Sequence, residues 1–236
     1  MAGTGFEPTG TINEYTDEVL DTLLASSTTQ WPGYEYVFDT PAFTTPGKAE
    51  HQMTTQEEMM SFLSDLDDGD DNMYVYSLGT SPVYQYEIPI VVFTKTDLSG
   101  ADTLEEAARL IGENEKVTVH YQAQIHSNEP AGGEAALSMI QCLDGTYGDQ
   151  VLETINIYVI PRINVDGANP YQRANVAQGI DMNRDHLYVQ SQEIELVHYA
   201  YDLFMPEVAI DGHEFTATTT NATGTLDDVQ IALRAV

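Results

Sequence analysis

Three short apolar runs, each broken off by a polar and chemically loaded motif, constrain this chain more than any other feature. Val117 to Ile125 runs into HSNE, Ile155 to Ile160 into PRINVDG, and Val208 to Ile210 into DGHE. Apolar runs of this length, separated by helical patterns, are the signature of buried strands joined by crossovers. Strands alternating with helices predict an α/β domain with an open mixed, largely parallel sheet and helices on both faces. In such a sheet ligands bind beyond the carboxyl ends of the strands, so the three motifs are predicted to converge on one crevice.

The remaining elements follow from periodicity. Thr54 and Glu57 form a capping-box pattern ahead of Met59, Phe62, Leu63 and Leu66 at helical spacing. Met73 to Ser77 and Ile88 to Thr94 read as a hairpin across a Gly/Ser/Pro turn. Leu104, Ala107, Ala108 and Ile111 mark a helix ending at Gly112, and Ala136, Met139, Ile140 and Leu143 mark another. Ser191 is placed to cap a helix whose stripe is Ile194, Val197, Tyr201 and Phe204. Val208 to Ile210 is predicted as the last strand. Residues 13–25 suggest a modest helix, and Trp31, Tyr34, Tyr36 and Phe38 fall in an arm over 1–50 that is expected to pack on a domain spanning 51–236. The acidic run 65–71 lacks the ordered spacing of a calcium loop and reads as a solvated turn.

A chain of 236 residues suffices for one large domain, and no apolar run approaches the length of a membrane span. A net charge of -30 excludes nucleic acid and anionic membrane as partners, because phosphate binding needs clustered Lys and Arg. The single cysteine, Cys142, excludes an internal disulfide and a Cys-based zinc site. The opening residues MAGTGFEP have no signal-peptide character. The expected location is extracellular or periplasmic with the signal removed, and composition leaves the cytoplasm open.

An imidazole and a carboxylate three residues apart, His126 and Glu129, stand where a strand gives way to a turn and a helix. Such a pair alone is weak. With His213 it becomes a His₂Glu set, whose donors suit Zn²⁺ and leave a fourth position for water. In so cation-poor a chain, Arg173 and Arg184 look placed: a guanidinium pairs with a carboxylate bidentately and can steady an oxyanion. His186 and His198 have no matched partner and read as surface or helix residues, and His120 reads as a core histidine.

The ordered set of motifs resembles the zinc carboxypeptidase family. HSNE matches its first two ligands, NVDG its NPDG with Val165 for the proline, DMNR its D-x-N-R, and His213 after an apolar strand its third ligand. The resemblance covers roughly 54–215, and NEPAGGEAAL and DMNRDH are more similar to bacterial members than to the digestive enzymes. It implies one Zn²⁺ on His126, Glu129 and His213, with Asp181 bonding His126. It further implies that Asn183 and Arg184 hold the substrate's C-terminal carboxylate, while Arg173 polarises the scissile carbonyl. The implied activity is that of a metallocarboxypeptidase, a monomer acting on peptides or acyl-amino acids with a free carboxylate.

Family members carry a glutamate general base and a substrate-contacting tyrosine well beyond the third ligand. The 23 residues after His213 contain no Tyr and a single Glu, Glu214, which in an extended segment should point away from the metal. The sequence is therefore expected to be an incomplete catalytic domain. A deacylase or cell-wall peptide amidase of the same chemistry, a non-catalytic binding relic and a metal-free structural domain are the alternatives.

Overall fold

The structure, a computed structural model, describes residues 40–45, 53–67, 72–214 and 231–235. The helix expected over 13–25, the aromatic arm, the end of the acidic run and everything at 215–230 lie outside the described residues.

Strands β1 (Met73–Thr80), β2 (Glu87–Phe93), β3 (Val117–Ala123), β4 (Ile155–Ile160), β5 (Val208–Glu214) and β6 (Ile231–Ala235) form one sheet in the order β1-β2-β4-β3-β5-β6. Its centre, β4-β3-β5, is parallel, and antiparallel pairs flank it on both sides, including the expected β1-β2 hairpin. The helices are α1 (Pro41–Thr44), α2 (Gln56–Asp67), α3 (Leu104–Gly112), α4 (Pro130–Leu143), α5 (Thr146–Val151), α6 (Val165–Ala168) and α7 (Gln192–Phe204), with a 3₁₀ turn at Met182–Arg184.

Alternation along the strands sorts the core into two layers. Ile88, Ile90 and Val92 of β2 join Tyr158 and Ile160 of β4 against α3 and α7, represented by Leu104, Ala107, Ile111, Ile194 and Val197. Their neighbours Val91, Phe93, Ile157 and Val159 face the other way, onto Met59 and Leu63 of α2 and Leu137 and Ile140 of α4. Burial of each such side chain contributes about 1.5–3 kcal/mol, so neither face can be left bare. That is why both carry helices.

The connections locate the site. From β3 the chain passes through α4 and α5 to β4 on one side, then through α6 and α7 to β5 on the other. The order reverses about β3, which opens a crevice beyond the carboxyl ends of β3 and β5.

Several local expectations need correction. The capping box sits one residue later than predicted: Glu58 N donates to Thr55 Oγ1 at 3.2 Å, and Thr55 N to Glu58 Oε2 at 2.7 Å. Thr54 is instead taken by Glu134, which accepts from both its amide and its hydroxyl. Ser191 does occupy the N-cap of α7, but its hydroxyl donates to Asp185, and Asp185 gathers the amides of Gln190 and Ser191. The last predicted strand does not stop at Ile210. It continues through His213, and β6 pairs with it in a stretch where composition gave no strand signal.

Candidate metal centre

Each convergent side chain is held by its own element. Immediately after β3, Gln124 adopts a left-handed backbone (φ 48), and its carbonyl accepts from Asn164 N at 3.0 Å. This ties the turn after β3 to the turn after β4. His126 follows, and Glu129 N closes a turn onto its carbonyl. Pro130 then starts α4, where its missing N–H costs nothing. Glu129 occupies the N-cap of α4 without capping it, because its carboxylate is engaged elsewhere.

That carboxylate is the hub. Oε1 lies 3.0 Å from His126 Nδ1 and accepts from Arg173 at 2.7 Å. Oε2 lies 3.0 Å from His213 Nδ1 and accepts from Glu214 N at 3.1 Å. His126, Glu129 and His213 are 1%, 5% and 9% exposed, and one donor atom from each lies within 4.8 Å of the others. Two imidazole nitrogens and a carboxylate oxygen, converging and shielded, are the donor set that Zn²⁺ takes. The residues therefore fit the metal that the sequence motifs imply.

Both imidazoles turn Nδ1 inward and Nε2 outward onto a carboxylate, His126 onto Asp181 and His213 onto Asp211, each at 2.8 Å. Charge follows from this arrangement. Burial pushes Glu129 up, but its bonds to His126 and His213 and the Glu214 amide outweigh that and hold it well below the usual carboxylate range. Asp181 and Asp211 are likewise lowered: burial opposes, and their histidine partners prevail, with Gln122 adding to the effect at Asp211. His213 is pushed up to about 9 by its bond to Asp211 and then by Glu129. A spot where two ionised carboxylates, Asp211 and Glu129, raise the proton affinity of an imidazole favours a cation of suitable size.

The substrate-side residues divide. Arg173 reaches Glu129 and stands 3.4 Å from Asp181, so its guanidinium lies directly beside the donor set. Asn183 brings its amide to 3.1 Å from His213 Nε2. Arg184 is exposed and donates to the Asn183 carbonyl. The Glu214 carboxylate is engaged at the start of α4: its Oε2 accepts from Ala131 N at 2.9 Å and so satisfies the amide there that Glu129 leaves open.

Outside the centre, His186 and His198 are not the isolated residues expected. Their ring nitrogens meet at 3.1 Å, joining the loop after the 3₁₀ turn to α7. His120 is buried between Tyr158 and Tyr201, as expected for a core histidine.

Three functional side chains escaped the sequence reading. Asp211 was legible in principle, since D-x-H along a strand puts both residues on one face. Asn164 spreads its amide over the carbonyls of Gln172, Arg173 and Ala174 at 3.3–3.5 Å, which fixes the segment carrying Arg173. Asp166 gathers Ser81, Val83 and Tyr84 onto the same loop. In each case the signal was a polar residue in a motif whose partner lies far off in sequence.

Comparison with known proteins gives a consistent picture. The family model described as zinc carboxypeptidase matches residues 59–196, over half of the chain and short of His213. Carboxypeptidase 2 of Trichophyton rubrum is 29% identical over 186 residues, covering 75% of this chain and 33% of its own length. The chain thus spans about a third of that relative. The relative is fungal, so the leaning toward bacterial members read from NEPAGGEAAL is not mirrored there. Among solved structures, carboxypeptidase A from Helicoverpa armigera superposes with a TM-score of 0.56 at 18% identity, covering 85% of this chain and 53% of that one. Thrombin activatable fibrinolysis inhibitor gives 0.59 at 16% identity, covering 85% and 54%. At these identities the structures speak to the fold alone.

Proposed function

Since the chain belongs to the zinc carboxypeptidase family, we propose that it forms the metal-holding part of a metallocarboxypeptidase in which His126, Glu129 and His213 bind one Zn²⁺. The observation that carries this reading is the meeting of two inward Nδ1 atoms and one carboxylate at the switch point of the sheet, with Arg173 alongside.

When bound there, Zn²⁺ supplies an acidified water and polarises a carbonyl. The chain's own residues do the rest. Asp181 accepts Nε2–H of His126 and keeps the Nδ1 lone pair inward. Arg173 holds a fixed guanidinium where a scissile carbonyl would enter, and steadies the negative charge that develops on its oxygen. Asn183 and Arg184, on the 3₁₀ turn, receive the C-terminal carboxylate of a peptide or acyl-amino acid. A planar guanidinium suits that task by its bidentate geometry. Glu214 is committed to the start of α4, so a general base is to be sought in residues other than Glu214.

The test is hydrolysis by the protein at its full natural length. Peptides with free C-termini should lose their last residue, the same peptides amidated should not, and chelation should stop the reaction until Zn²⁺ is restored. Cleavage indifferent to amidation, or undiminished by chelation, would overturn the proposal. Tight binding of free-carboxylate peptides without cleavage would identify a binding relic instead.

A further inference from the structure

Asp211 has no part in the reading above. It lies two residues before His213 on β5, so both side chains leave the same face of the strand. The residue is 7% exposed. Oδ2 meets His213 Nε2 at 2.8 Å, while Oδ1 is buried with no hydrogen-bond partner among the described residues. A buried carboxylate usually has both oxygens satisfied, so one oxygen left without a partner and the other committed to His213 marks a group placed for that single contact. Its value must lie in what the bond does to the histidine.

We infer that Asp211 is a positioning residue for the metal: by accepting Nε2–H it fixes His213 in the tautomer and ring orientation that turn the Nδ1 lone pair toward Glu129 and His126. This rests on the metal-binding reading proposed above. Freed of that contact, the imidazole can take the opposite tautomer, which puts an N–H where a ligand lone pair is needed, or rotate about χ2. His126 shows the same construction with Asp181, from a different element and at the same 2.8 Å. Both histidines are thus braced from behind by a carboxylate. Asn183, whose Nδ2 lies 3.1 Å from His213 Nε2, can share this task with its amide turned so that Oδ1 accepts.

The experiment measures Zn²⁺ affinity by competition with a chromophoric chelator, on the purified chain and on Asp211→Ala, Asp211→Asn and Asn183→Ala. Asp211→Ala should weaken Zn²⁺ binding by about 10–100-fold, the usual cost of losing such a partner. Asp211→Asn keeps an acceptor oxygen at the same place and should recover part of the loss. Thermal melting of the metal-free proteins reports on the fold separately, and Asp211→Asn should melt close to the parent while its Zn²⁺ affinity falls. If Asp211→Ala does not fold, the isosteric Asp211→Asn still decides, with an expected loss of about 3–30-fold. Affinity within threefold of the parent in the folded Asp211 variants would overturn the inference and leave the metal site standing. Failure of the parent chain itself to bind Zn²⁺ would overturn both.

Discussion

Replacing Gly133 by alanine tests how the His126 turn is supported. Gly133 lies in the first turn of α4, and a Cβ there would come to 2.7 Å from Gln124 Cδ and closer still to Oε1. Gln124 cannot move freely: it is 1% exposed, and its Oε1 accepts from Arg162 Nε at 2.7 Å. Arg162 is itself 1% exposed, with its other nitrogens committed to Thr54 O and Gln56 Oε1. Room for the methyl therefore means swinging Gln124 away and leaving a buried cationic donor without its acceptor. That loss costs about 1–3 kcal/mol, and crowding in the packed layer adds about 1–3 kcal/mol. Alanine's better helix propensity returns about 1 kcal/mol. The net expectation is a destabilisation of about 1–5 kcal/mol, read as a lower urea midpoint at unchanged slope. Gly112→Ala is the control, since nothing lies within 4 Å of its added Cβ, and it should be neutral or slightly stabilising. A Gly133→Ala protein as stable as its parent would refute the claim that Gln124 and Arg162 form a rigid support.

Three further outcomes follow. Asn164→Ala removes the amide that spans the carbonyls of residues 172–174 and the oxygen that caps Gly167 N, so it should cost about 1–3 kcal/mol in urea denaturation. In the full-length protein it should lower turnover without lowering zinc content, and zinc loss would contradict this division of labour. Arg173→Ala, at a half-exposed position, should leave metal content intact and cut kcat by about 10²-fold or more, whereas an effect on KM alone would argue against oxyanion stabilisation. Burial lowers His120 to about 4 from its ordinary value near 6.5. Its neutral form is thus favoured in the folded state, and its contribution is complete above pH 6.5. As pH falls from 6.5 to 4 the unfolded chain takes the proton first, so about 3 kcal/mol of stability should be lost across that window. His120→Phe should flatten that part of the pH profile, and an unaltered profile would contradict the assignment.

The parts of this fold legible in the sequence were those written in local patterns. An apolar strand-like run announced β3 and a continuous one β4, and the motifs at their ends pointed to one crevice because crossover topology leaves few places for them to go. His126, Glu129 and His213 were legible because donor chemistry restricts residue type. The rest depended on partners distant in sequence. Thr54 looked like a cap until Glu134 claimed it, and Asp211 and Gly212 looked like the end of a strand because neither continues an apolar run. His186 and His198 looked isolated because their contact joins a loop to a helix, a pairing that no periodicity records.

The account stands or falls on whether three side chains from two strand ends hold one divalent ion. Elemental analysis of the purified chain after dialysis against trace Zn²⁺ should give one zinc per chain. His126→Ala and His213→Ala should each lose it while retaining the parent's circular dichroism. Substoichiometric zinc in the parent, or undiminished zinc in either folded variant, would contradict the account.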